Sequence, residues 1–65
     1  MNELFDVVAV RTDAQGNDII TVATGKGYVE AVTIAVAYNN DPSTPDNRFA
    51  VLQAHGGQAS YRVAE

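Results

Sequence analysis

The sequence predicts an α+β fold of the form ββαββ: a four-stranded antiparallel sheet in the order 2-1-3-4, with one helix packed on one face. Three observations predict it. Residues 27–40, GYVEAVTIAVAYNN, read as a helix. Segments rich in β-branched and aromatic residues flank that stretch in pairs. A cluster of turn formers joins the members of each pair.

Residues 4–12, LFDVVAVRT, form the first expected strand. Phe5, Val7 and Ala9 lie on one face and Leu4, Asp6, Val8 and Val10 on the other. Both faces are largely apolar, which suits a central strand covered on two sides. The run DAQGN at 13–17 supplies a turn, and DIITVAT at 18–24 supplies a second strand that closes an antiparallel hairpin.

The helix boundaries are well marked. Gly27 serves as N-cap, and Glu30 falls at the third helical position, where its carboxylate suits the positive helix end and can reach back to the cap N–H. Asn39-Asn40 ends the run, since Asn accepts the left-handed conformation, and Pro42 disfavours helix at Asp41. At roughly 100° per residue, Tyr28, Val29, Ala31, Val32, Ala35 and Val36 share one broad face. Glu30, Thr33, Ala37 and Asn40 form a narrow outer strip, with Ile34 and Tyr38 on its edge, where a partner can meet them.

Residues 39–47, NNDPSTPDN, make a polar loop, the segment expected to be most mobile. Residues 48–55, RFAVLQAH, form the third strand; Gly56-Gly57 turns the chain; residues 58–64, QASYRVA, form a short fourth strand. A right-handed crossover through the helix places the third strand beside the first. The expected covered face holds Phe5, Val7, Ile20, Val22, Phe49, Val51, Tyr61 and Val63. Leu4, Val8, Val10, Ile19, Leu52 and Ala54 then line the other face. Exchanging the two faces leaves the apolar surplus in place. Apolar patches open to water usually mark interfaces. The candidate protein interface is therefore Leu4, Val8, Val10, Ile19, Ile34, Tyr38 and Leu52.

Composition narrows the function. A chain of 65 residues is one domain, residues 1–65, and its core rarely leaves more than ~3–5 kcal/mol without a staple. There is no cysteine and a single histidine, which excludes disulfides, thiolate metal sites and histidine-rich metal sites. Self-association is the remaining common staple, so a homodimer is expected. The four basic residues, Arg11, Lys26, Arg48 and Arg62, are dispersed in a chain of net charge −4, which argues against direct nucleic-acid binding and fits a basic protein partner or simply solubility. The N-terminus lacks the pattern of a signal peptide, and no apolar stretch approaches the ~20 residues a membrane helix needs. The expectation is a complete small polypeptide of the cytoplasm, with no membrane association.

Few residues suggest chemistry. Gly25-Lys26-Gly27 joins a strand to a helix start, where glycine N–H groups and a lysine can hold a phosphate or another anion. Its spacing is not that of a P-loop. His55 could act as a base, but no second residue is marked as its partner. Ser43-Thr44-Pro45-Asp46 reads as turn chemistry, and Asp41 with Asp46 lacks the further oxygen ligands of a calcium loop. Among the tyrosines, Tyr28 is expected in the core and Tyr38 half-exposed, with Tyr61 open between core and surface.

Thr24-Gly25, Glu30-Ala31, Ile34-Ala35 and Tyr38, followed by a polar loop and Arg48-Phe49-Ala50-Val51, form a pattern that resembles small phage and mobile-element ββαββ proteins, some anti-CRISPR proteins among them. The resemblance spans about the whole chain at the level of architecture, and no functional residue carries over from it. It implies a phage-type inhibitor of a host defence complex, acting in the host cytoplasm. The expected function is thus a small non-enzymatic protein-interaction module without cofactors. The alternative is a small-ligand binder or sequestering protein for a nucleotide or other anion.

Overall fold

The computed structural model describes residues 3–11, 19–56 and 61–63, the last three as backbone. The element order is β1 (Phe5–Arg11), β2 (Ile19–Lys26), α1 (Tyr28–Asn40), β3 (Arg48–Ala54) and β4 (Tyr61–Val63). β1 lies between β2 and β3 and is antiparallel to both. Residues 61–63 pair antiparallel with the far side of β3; the rest of the strand expected over 58–64, like the turn expected at 13–17, lies outside the described residues. No helix among the described residues is long and apolar enough to cross a membrane.

The ladder between β1 and β3 is regular from Phe5↔Ala54 to Arg11↔Arg48. The ladder between β1 and β2 is not. Opposite Val8–Val7 the second strand advances from Thr21 to Ala23, and opposite Val7–Phe5 it advances from Ala23 to Lys26. Each step inserts one extra residue in β2, which is the signature of a β-bulge. The second insertion contains Gly25, whose φ of 65° is open to glycine at little cost. Through it β2 continues two residues past the end expected from sequence.

Helix α1 is seated on alanines. Ala31 and Ala35 are fully buried and gather with Phe5, Val7, Ala50 and Leu52, while Val22, Ala23, Val32, Ile34 and Tyr38 pack around them. The side turned to the sheet therefore carries the buried residues 31 and 35 with the partly buried 32, 34 and 38 around them, a spacing that keeps one helix face on the sheet. This corrects three expectations. Ile34 and Tyr38 belong to the packed side rather than the outer edge. Val29, expected beneath the helix, is 77% exposed. Tyr28, expected in the core, is 54% exposed and meets the Phe5 ring edge-on, with centroids 5.6 Å apart.

The faces of β3 are corrected as well. Cross-strand partners point to the same side of a sheet, and Val7 pairs with Leu52 while Val8 pairs with Val51. Leu52 and Ala50 thus lie under the helix with Phe5 and Val7. Phe49 and Val51 lie on the opposite side with Val10 and Val8. Alternation alone fixes which residues of one strand go together; only register ties them to the neighbouring strand.

The helix is bounded by Gly27 and Asp41 as expected, but two of the expected devices are absent. Gly27 is the N-cap in an extended conformation with no side-chain cap bond, and Glu30 approaches Lys26 instead, at 3.8 Å. No non-glycine residue among those described has positive φ, so Asn39 and Asn40 do not close the helix in the left-handed form. Asp41, before Pro42, is extended and donates its N–H to the Tyr38 carbonyl at 3.2 Å. Asn39 has a different task. Its Oδ1 accepts the Ala50 N–H at 2.7 Å and its Nδ2 donates to the Ala50 carbonyl at 3.4 Å, which ties the helix end to β3.

Candidate functional site

Three polar contacts that link distant parts of the sheet meet at one end, where β1 begins and β2 and β3 finish. Asp6 stands at the centre. Its neighbours Phe5 and Val7 face the helix, so its carboxylate lies on the other side. There Oδ1 accepts the Gly25 N–H at 3.0 Å and meets His55 Nδ1 at 2.7 Å. The bulge explains the first bond: it offsets β2 against β1 at Gly25, and a side chain of β1 takes the N–H. A second link in the same place is the His55 N–H bond to the Leu4 carbonyl, at 3.1 Å. One carboxylate on the middle strand therefore fastens both neighbours.

The electrostatics follow from those donors. The Gly25 N–H, then the His55 hydrogen bond, hold the Asp6 carboxyl below its ordinary value of 3.8, against the opposing effect of partial burial. An ionised carboxylate can only accept, so His55 Nδ1 carries the hydrogen and a neutral ring presents its lone pair at Nε2. That is the arrangement of a carboxylate-oriented base. Among the described residues, however, the His55 side chain bonds Asp6 alone, and no hydroxyl is held against it. The pair reads as a clamp. Its two members are 49 positions apart in sequence, which is why His55 seemed partnerless. The available signal was Asp6 itself, an ionisable residue inside a run of Phe and Val.

The candidate anion site is occupied by the chain's own acids. Gly25 gives its N–H to Asp6, Lys26 Nζ lies 3.8 Å from Glu30 Oε2, and Gly27 contributes a carbonyl that accepts the Ala31 N–H at 2.8 Å. The Lys26–Glu30 pair is exposed and correspondingly weak. The polar loop also satisfies itself. Asp41 Oδ1 accepts both the N–H and the hydroxyl of Ser43, at 2.9 and 2.8 Å, and those bonds lower the Asp41 carboxyl. Thr44 bonds the Asp41 and Tyr38 carbonyls, at 3.0 and 2.8 Å. The segment expected to be most mobile is thus bonded internally. The described residues contain no group of three or more potential metal ligands.

The apolar interface candidates divide. Leu52 is 1% exposed and Val8 3%, so neither is available to a partner. Val8 is buried on the side away from the helix, as is its pairing residue Val51. Ile34 and Tyr38 pack against the core, and Val10 is half-buried between Ile19 and Phe49. Leu4 and Ile19 remain, 42% and 44% exposed, and are joined by Ile20, Tyr28 and Val29. Tyr28 and Val29 open α1, with the Tyr28 ring against Phe5, while Leu4 precedes Phe5 in the chain and takes the opposite side of the strand.

Comparison with protein-family models, with curated proteins and with solved structures finds no match to this chain.

Proposed function

We propose that this chain is a small non-enzymatic protein-interaction module, in its sharpest form a phage-type inhibitor that occupies a surface of a larger host complex. The observation that carries the reading is the exposure of Tyr28 and Val29, the adjoining large residues that open α1. Val29 in particular is 77% exposed in the first turn of a helix that has a buried face available. Large side chains that are bare in the free chain favour a partner with a complementary apolar site. The net charge of −4 favours a basic rim around that site. The reading takes residues 58–64 as a full fourth strand, of which residues 61–63 are the paired part, and places the chain in the cytoplasm.

The test compares capture of host proteins by the wild-type chain and by Val29→Asp. The side chain is exposed, so the substitution should change stability by no more than ~0.5 kcal/mol. A partner held by the wild type and released at least tenfold by the variant, ~1.4 kcal/mol, supports the reading. A partner held equally by both, or none held by either, refutes it.

A further inference from the structure

Ile19 and Ile20 are successive residues of β2 and point to opposite sides of the sheet. Ile19 pairs with Val10 and Ile20 with Ala9. Both are nearly half exposed, at 44% and 47%, whereas Ala9, one strand inward, is fully buried. A missing cover over one face of the sheet would bare only one of the two isoleucines. Exposure on both faces at adjoining positions is the mark of a strand whose outer side is open. Among the described residues β2 pairs with β1 alone, so its outer backbone edge is open. A neighbour that shields both faces and satisfies that edge is another strand.

We propose that a second copy of this chain supplies it, with the two β2 strands antiparallel about a two-fold axis. Edge strands that avoid such pairing carry lysines, prolines or bulges. Residues 19–24, IITVAT, contain no charge and no proline, and five of the six are β-branched. The bulges bend the half of β2 nearest Lys26, so residues 19–21, paired regularly with β1, are the part able to accept a neighbour. Charge selects the same place. Two chains of net charge −4 repel, and contact between them must fall where acidic side chains are missing; β2 has none. An axis at Ile20 sets Ile20 against its own copy and Ile19 against Thr21, pairs that antiparallel strands accept on both faces. Each chain offers one such edge, so the assembly closes at two. The contact is smaller than the ~1,600 Å² of a standard interface, so the dimer should be weak and reversible.

Sedimentation equilibrium of the full chain, carried to high concentration, tests this. The expected result is a reversible monomer–dimer equilibrium that Ile20→Lys weakens at least ~10-fold, because it sets like charges opposite each other on a strand edge. Val29→Lys, an equal change in charge at the other exposed site, should leave the equilibrium within about twofold. Far-UV circular dichroism establishes that the variants are folded, and Thr21→Lys replaces Ile20→Lys if the latter is not. A monomer throughout the range overturns the proposal. So does an open series of larger oligomers, or a dimer that the β2 variants leave intact. Loss of self-association leaves the Val29-dependent capture of a host protein unchanged, so the two proposals fail separately.

Discussion

Removing the Asp6 carboxylate should unfasten the sheet at one end. The Gly25 N–H and His55 Nδ1 both depend on Oδ1, at 3.0 and 2.7 Å, and the carboxylate is only 16% exposed. Losing the charged acceptor of a shielded hydrogen bond costs about 1.5–3 kcal/mol. The His55 bond adds less, about 0.5 kcal/mol, because that ring is 47% exposed and screened by water. Asp6→Ala should therefore lose about 2–3 kcal/mol and His55→Ala under ~1 kcal/mol, set against a total on the order of 3–5 kcal/mol for a chain this small. Asp6→Asn keeps an oxygen for Gly25 and should lose about half as much as alanine. Urea titration followed by circular dichroism measures all three. The folded-state carboxyl lies below its ordinary value of 3.8, chiefly through the Gly25 N–H. Its stabilisation is then complete above the unfolded value and disappears as pH falls through the folded one. The gap between wild type and Asp6→Asn should be present above about pH 5 and narrow below about pH 4. A gap that is the same at pH 7 and pH 3, or a His55→Ala loss exceeding that of Asp6→Ala, would refute the clamp.

Two further substitutions probe the neighbouring structure. Leu52→Ala should cost about 3 kcal/mol, since the side chain is 1% exposed beneath the helix, whereas Leu4→Ala, at 42% exposure, should cost less than ~1 kcal/mol; equal midpoints in urea would return Leu52 to the surface. Gly25→Ala should lose about 1–2 kcal/mol through its φ of 65° alone, because the added methyl would meet His55 Cε1 at an ordinary 3.9 Å. A neutral result in the same titration would mean that the bulge relaxes.

Much of the architecture could be read from the residues because local signals agreed. Apolar segments fell between turn formers, Gly27 and Pro42 bracketed the helix, and the crossover rule placed the first strand in the middle. Burial was less legible. Leu52 and Val51 have equal apolar claims to the core, and the pairing of Val7 with Leu52, rather than any property of β3 itself, decides which one the helix covers. The helix orientation was legible in part: Ala31, Val32 and Ala35 were expected on the face toward the sheet and lie there, whereas Val29 is turned out to water and Ile34 and Tyr38 pack inward. The clamp was hidden because Asp6 and His55 meet only once the sheet is assembled. The exposed pair Ile19 and Ile20 was half visible: Ile19 was placed on an open face, but the lateral opening beside β2 is a property of strand order.

The alanine seat of α1 has a consequence for motion. Small side chains hold a helix by close fit rather than by the amount of apolar surface they hide. Lifting α1 would bare Leu52, Val7, Phe5 and Ala50, unseat Ile34 and Tyr38, and break the Asn39 tie to Ala50. The β1–β3 ladder, regular over its whole length, does not need the helix for its hydrogen bonds. Amides of the helix should open to solvent well before those of the two middle strands, leaving a sheet that outlasts its cover.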